Sequence, residues 1–396
     1  MRAPYSVVVF ASFLVACGDS ASTPASDATN PTDATLDATT DSPSAQKDDD
    51  VIVVPTDAPP VGDPRGFDVR QRGPFGTGYR LLMHTYTPRG STTPRTIPVH
   101  VWYPTRAIRG PHPTYGRFFT DPEAITDAPL APSVHPRGYP VQVYSHGDHG
   151  FGGTSHFLMR YFASHGWVSV APDHVGNTLF DTPDPRPFTL YHLRSQDVRA
   201  ALDLVEALPA SDPLSGRCDT RRVVLTGHSF GTHTVWASAG ATFDVDAFRA
   251  MCTPRLSCAE SDLAVFREGL GDPRIVAAIP MAGSINRTLF GALGHGSVRI
   301  PMLAMSGSED PVGADGQFTS TAPMPLTWID VRGGCHQYFA LGGCTMIPDA
   351  LQGVIVGAWS MAFARRHVLD DSDPTVLGVL DGTLALSDRV TLHRRP

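Results

Sequence analysis

The stretch from Arg222 to Ala239 constrains this chain more than any other. Arg222-Val223-Val224-Leu225 is a short β-branched, apolar strand signal. It leads through Thr226 into Gly227-His228-Ser229-Phe230-Gly231, and then into Thr232-His233-Thr234-Val235-Trp236-Ala237-Ser238-Ala239, which can begin a helix. Strand, Gly-x-Ser-x-Gly, helix is the context in which a sharp turn lifts a serine hydroxyl to the top of a sheet, over the positive end of a helix. Such a turn holds its central residue in a strained conformation, so both flanking glycines are expected for steric reasons. Alone the pattern would be a strand–helix turn with a chance serine; with these flanks Ser229 is expected to be a nucleophile.

The surrounding chain alternates strands and helices. Strand signals occupy Tyr79–Thr87, Thr96–Tyr103, Pro140–Ser145, Trp167–Ala171, Ile275–Pro280, Ile300–Met305 and Leu326–Val331. Helical spacing links Phe157, Leu158, Tyr161 and Phe162, with Gly166 as a stop. It recurs over 191–208, where Val198, Ala201, Leu202, Val205 and Leu208 share a face, and from Leu351 to Ala362. Continuous apolar strands alternating with amphipathic helices predict an α/β fold with a mostly parallel sheet covered on both faces. Residues 104–139, rich in Pro and Gly, read as a loop over one edge. Residues 242–272 read as an excursion or cap outside the sheet. Trp236 and Trp359 read as core.

The N-terminus reads as a targeting segment, residues 1–17. Arg2 precedes an apolar run from Val7 to Ala16 that is too short to span a bilayer. It ends in Leu14-Val15-Ala16-Cys17-Gly18, which looks like a bacterial lipobox with Cys17 as the lipidated residue; the alternative is a secretory signal cut near Ala16. Residues 18–65 follow as an acidic tether, and a catalytic domain is expected over 66–396. Within 18–63 there are ten Asp, one Lys and neither Glu nor Arg, so this stretch carries essentially the whole formal charge of -8. Rich in Thr, Ser, Ala and Pro, it is expected to be disordered. The near-neutral body offers no basic field for nucleic acid. Five Cys remain beside Cys17, and export permits disulfides. Cys252 with Cys258 and Cys335 with Cys344 are the natural pairs, leaving Cys218, although spacing alone does not fix connectivity.

A serine nucleophile needs a base, and the base needs an acid, in the chain order Ser, Asp or Glu, His. After the 300–305 strand comes Ser306-Gly307-Ser308-Glu309-Asp310, where Asp310 is the preferred acid, with Glu309 and Asp315 as alternatives. After the last strand comes Arg332-Gly333-Gly334-Cys335-His336, which makes His336 the base. His295, His367 and His393 lack that context. The N–H groups of Phe230 and Asp148 are the expected oxyanion donors, with the Asp148 carboxylate turned outward. Asp173-His174 could line the mouth or anchor a loop. His146, Asp148, His149 and His156 have too little acidic interleaving for a metallohydrolase site, so neither metal nor organic cofactor is expected.

Four stretches together carry a resemblance. They are Tyr144-Ser145-His146-Gly147, Ala171-Pro172-Asp173-His174-Val175-Gly176-Asn177-Thr178, Gly227-His228-Ser229-Phe230-Gly231 and Cys335-His336-Gln337-Tyr338-Phe339. The chain resembles, over about residues 75–370, the platelet-activating-factor acetylhydrolase-like and predicted dienelactone hydrolase-like branch of the α/β-hydrolases. The resemblance implies ester hydrolysis by Ser229, with His336 as base and the Phe230 and Asp148 amides as oxyanion donors. True dienelactone hydrolases use a Cys where this chain has Ser229. In the acetylhydrolases the acid follows the strand immediately after the elbow. Here that segment, Ile279–Ser284, has no carboxylate, which moves the acid to Asp310.

The expectation is therefore an exported serine esterase, lipid-anchored in the bacterial envelope, acting on small esters or short-acyl lipids. Polyester hydrolysis, acyl transfer and a catalytically silent surface-binding role are the alternatives.

Overall fold

Alternation along the strands decides which layer each helix joins. Val223 and Leu225 bury against one cluster of apolar side chains, whereas Val224 buries against the other. Ala278 likewise joins the first, and Ala277 and Ile279 join the second. A sheet with an apolar residue at every position needs a cover on both faces.

The computed structural model of the protein describes residues 51–56, 66–253, 258–284, 287–313 and 316–396. The signal segment 1–17, the lipidation residue Cys17, most of the 18–65 tether and Asp315 lie outside the described residues. The strands are β1 (Gly76–Tyr86), β2 (Arg95–Thr105), β3 (Thr114–Tyr115), β4 (Phe119–Thr120), β5 (Ala124–Thr126), β6 (Tyr139–Ser145), β7 (Val168–Pro172), β8 (Cys218–His228), β9 (Ile275–Met281), β10 (Leu303–Gly307), β11 (Leu326–Val331) and β12 (Val390–Arg395). The helices are α1 (His156–Ser164), α2 (Leu190–Glu206), α3 (Phe230–Ser238), α4 (Val245–Met251), α5 (Glu260–Glu268), α6 (Arg287–Phe290), α7 (Gly316–Ser320), α8 (Ala358–Val368) and α9 (Pro374–Asp381).

Among the described residues, ten strands form one sheet in the order β12-β11-β10-β9-β8-β6-β7-β2-β1-β5. From β7 to β11 every neighbouring pair is parallel. Antiparallel pairing is confined to β1 with β2, β2 with β7 and β11 with β12. Side chains of α2, α3 and α5 fill one face, and those of α1, α8 and α9 fill the other. The protein is thus α/β, with a large, mostly parallel central sheet between helical layers.

Three elements depart from the expectation. The Val51-Ile52-Val53-Val54 end of the tether is docked: Val53 donates to the Arg109 carbonyl and accepts from the Ile108 amide, each at 2.9 Å. Its β-branched residues suit the extended pairing it makes with the 108–109 stretch after β2. The 104–139 segment is not wholly loop, because β5 pairs with the β1 edge and β3 with β4. The C-terminal β12 closes the opposite edge. Its Arg- and His-containing sequence hides the strand signal, yet His393 stacks on Trp328 at 4.1 Å. The 242–272 excursion stands outside the sheet as α4 and α5, with Phe248 stacked on Phe266 at 4.1 Å.

Cys252–Cys258 and Cys335–Cys344 are disulfides, and Cys218 is a free thiol that burial pushes up to about 12. Disulfides fit an oxidising, extracytoplasmic compartment. Among the described residues, no helix is long and apolar enough to cross a membrane.

Candidate active site

Strand β8 ends at His228, and α3 begins at Phe230, so Ser229 must reverse the chain alone. It does so at φ 54° and ψ -117°. A β-carbon-bearing residue is rare there, and the conformation persists only where surroundings hold it. The Ser229 amide donates to the Met281 carbonyl of β9, and its carbonyl accepts from Thr232, each at 2.9 Å. The flanking glycines serve close approach. A methyl on Gly227 would lie 2.6 Å from the Gly231 carbonyl oxygen, and one on Gly231 would lie 2.1 Å from that of Ser145.

The loops after β10 and β11 are laced together. Ser308 donates its amide to the Val331 carbonyl at 3.0 Å, and Glu309 donates to Gly334 at 2.9 Å. The Gly333 amide in turn donates to Ser308 Oγ at 2.9 Å. This lacing delivers Asp310 to His336. The Asp310 carboxylate, wholly buried, accepts from His336 Nδ1 at 3.0 and 3.1 Å. With Nδ1 donating, a neutral ring presents Nε2 as the free base. The His336 side chain keeps 24% exposure, enough to meet an incoming group. Glu309 is exposed and takes the Ser308 hydroxyl instead.

The turn and the His336 loop meet through His228. Its Nε2 donates to the His336 carbonyl at 2.9 Å, and the two rings lie 4.7 Å apart. Burial, followed by the neighbouring His336 ring, pushes His228 down to about 3, so it stays neutral. The Cys335–Cys344 bridge ties the same loop.

The loop between β6 and α1 passes beside Ser229. A methyl on Gly147 would stand 3.1 Å from Ser229 Cβ. Among the described residues, the amides of Phe230 and Asp148 have no hydrogen-bond acceptor. The Asp148 carboxylate is 36% exposed and occupied by Asn177 Nδ2 at 2.5 Å and Arg186 at 2.9 Å. Burial works to raise that carboxyl, but Arg186, Asn177 and His149 hold it below its ordinary value.

Asp173-His174 anchors loops. Asp173 accepts from the Gly152 amide at 2.6 Å and meets His100 at 3.2 Å. His174 is fully buried, between Ser145 Oγ and Asp197, each at 2.9 Å. His146 receives the His174 amide on Nε2 at 2.9 Å, and burial pushes both rings well down. His156 sits 4.5 Å from the Phe119 ring. His295, His367 and His393 pack beside Trp236, Phe363 and Trp328 respectively. Trp236 and Trp359 are buried.

Asn177 lies in the Ala171–Thr178 stretch that carries the resemblance but has no role assigned from it, and Arg186, Arg194 and Asp197 are not singled out in the sequence. The last two carried a signal: they continue the Val198, Ala201, Leu202, Val205 stripe of α2 one turn earlier, placing charge where the spacing calls for core. No family model matches the chain, and no curated protein matches its sequence.

Proposed function

We propose that this protein is a serine carboxylic-ester hydrolase of the α/β-hydrolase type, exported and lipid-anchored through Cys17. The observation that carries the reading is the strained Ser229 turn, whose preceding residue His228 bonds the His336 carbonyl, together with the Asp310–His336 pair and two amides without an acceptor. A strand-to-helix serine, a carboxylate and then a histidine from successive strand ends is the arrangement that acyl transfer requires.

In the proposed reaction Ser229 Oγ bonds to the ester carbonyl carbon while its proton passes to His336 Nε2. The carbonyl π electrons move to oxygen, which the Phe230 and Asp148 amides receive. Asp310 keeps the ring oriented and stabilises its charged form. Collapse breaks the ester C–O bond, and the alcohol leaves with the proton from Nε2. Water then adds to the acyl-enzyme, giving its proton to Nε2; the acid departs and Ser229 recovers its hydrogen. Apart from the ester and the water consumed, each step uses side chains and amides of this chain. Small esters and short-acyl lipids, platelet-activating-factor-like phospholipids among them, are the proposed substrates.

A panel of p-nitrophenyl esters from acetyl to long acyl, with a short-acyl phospholipid, tests the reading. Turnover by the wild type and its loss in Ser229→Ala is the expected result. Wild-type rates no better than the mutant's, together with failure of a fluorophosphonate to label Ser229, would leave only a binding role.

A further inference from the structure

Helix α2 buries a whole guanidinium. Arg194 is fully buried, and among the described residues no carboxylate lies within ion-pair distance of it. An unpaired buried charge is costly, so its retention calls for a reason. Burial pushes Arg194 below its usual value and Arg186 adds to the fall, while Asp148 and Asp197 oppose it from farther off.

All three of its nitrogens donate, through four hydrogen bonds. Nη1 donates to Asn177 Oδ1 at 2.6 Å, Nε to Thr234 Oγ1 at 3.1 Å, and Nη2 to Ser145 Oγ at 3.2 Å and to the His146 carbonyl. The guanidinium carbon also stands 4.6 Å from the centre of the Phe230 ring, which Arg186 covers at 4.5 Å. Asn177 passes the link onward by donating to Asp148. Ser145 is braced in turn by His174, and His174 by Asp197, which Arg95 and Tyr86 hold at 2.7 Å. One cation therefore touches both segments that carry the two unoccupied amides. It holds the peptide before Gly147-Asp148 through the His146 carbonyl, and it holds Phe230 through its ring.

We propose that Arg194 is a positioning residue for the oxyanion site: it fixes the 146–148 loop and Phe230 in one frame, so that their amides converge. Preorganised donors cost no reorganisation at the moment of reaction, which is why a rigid frame matters more here than contact with the substrate. This inference rests on the esterase reading.

The test compares an ester with its thionoester, in which sulfur replaces the carbonyl oxygen and accepts hydrogen bonds poorly. Arg194→Lys and Asn177→Ser are assayed on both, with active sites counted by fluorophosphonate titration. Arg194→Lys is expected to lower kcat for the oxygen ester about 10-fold or more, with KM within about twofold, and to shrink the oxygen-to-sulfur rate ratio by a similar factor. Asn177→Ser should move both quantities the same way by less, and it decides the matter alone if the lysine variant does not fold. A merely structural role lowers both substrates together, so an unchanged ratio per titrated site overturns the proposal while leaving the esterase reading intact. Absence of Ser229-dependent turnover in the wild type would instead overturn the esterase reading, and this inference with it.

Discussion

His228 and His336 are joined side chain to backbone: His228 Nε2 donates to the His336 carbonyl at 2.9 Å. The residue before the strained serine thus holds the loop that carries the proposed base. His228→Ala should lower kcat by about 10-fold, the value of one buried hydrogen bond that fixes a reacting group. His228→Gln, which can still donate, should retain more. Steady-state kinetics on a p-nitrophenyl ester reads the difference; equal rates for both variants and the wild type would show that the link does not position His336.

Asp310 and Glu309 are neighbours with opposite environments, one buried against His336 and one exposed. Asp310→Asn should cost about 10⁴ in kcat, because an amide cannot hold the required tautomer. Glu309→Gln should stay within about twofold. A glutamine variant that abolishes turnover would transfer the acid role to Glu309.

The Cys335–Cys344 bridge closes a short loop that contains His336. Removing it as Cys335→Ala/Cys344→Ala should destabilise the fold by about 2.5 kcal/mol from loop entropy. Urea unfolding measures that loss. Activity should fall further than the unfolded fraction explains, since the loosened residues carry the proposed base; activity that simply follows the folded fraction would refute the second part.

Buried histidines make stability depend on pH. His165 and His233 are held down to about 4 and His228 to about 3, chiefly by burial. The unfolded chain takes up these protons near 6.5 and the folded chain only far lower. Stability is therefore complete above about 6.5 and falls with acid by about 1.4 kcal/mol per pH unit for each such ring. Asp148 and Asp173, lowered in the fold, add to the loss only below their ordinary value of 3.8. Thermal melts should show Tm declining from pH 6.5 towards pH 4; a flat Tm over that range would mean that these rings are not neutral in the fold.

Much of the architecture is legible before any coordinates. Apolar runs such as Ile275–Pro280 mark strands buried on both faces, and the glycines around Ser229 mark a tight turn, because period and backbone sterics are local properties. Chain order also ranks Asp310 and His336 as partners. The docking of Val51–Val54 and the strand hidden in Val390–Arg395 are not local: the first forms against the 108–109 stretch that follows β2, and the second against the open edge of β11.

The sequence by itself determined the strand–turn–helix that strains Ser229 and the strand ends from which a carboxylate and an imidazole can come. Only the tertiary structure decided that Asp310 rather than Glu309 faces His336, that His228 grips the His336 loop, and that Arg194 is buried between the two segments whose amides lack an acceptor. A side chain's role in such a site depends on which neighbours exclude water from it, and those neighbours are brought together from across the chain by the closing of the sheet.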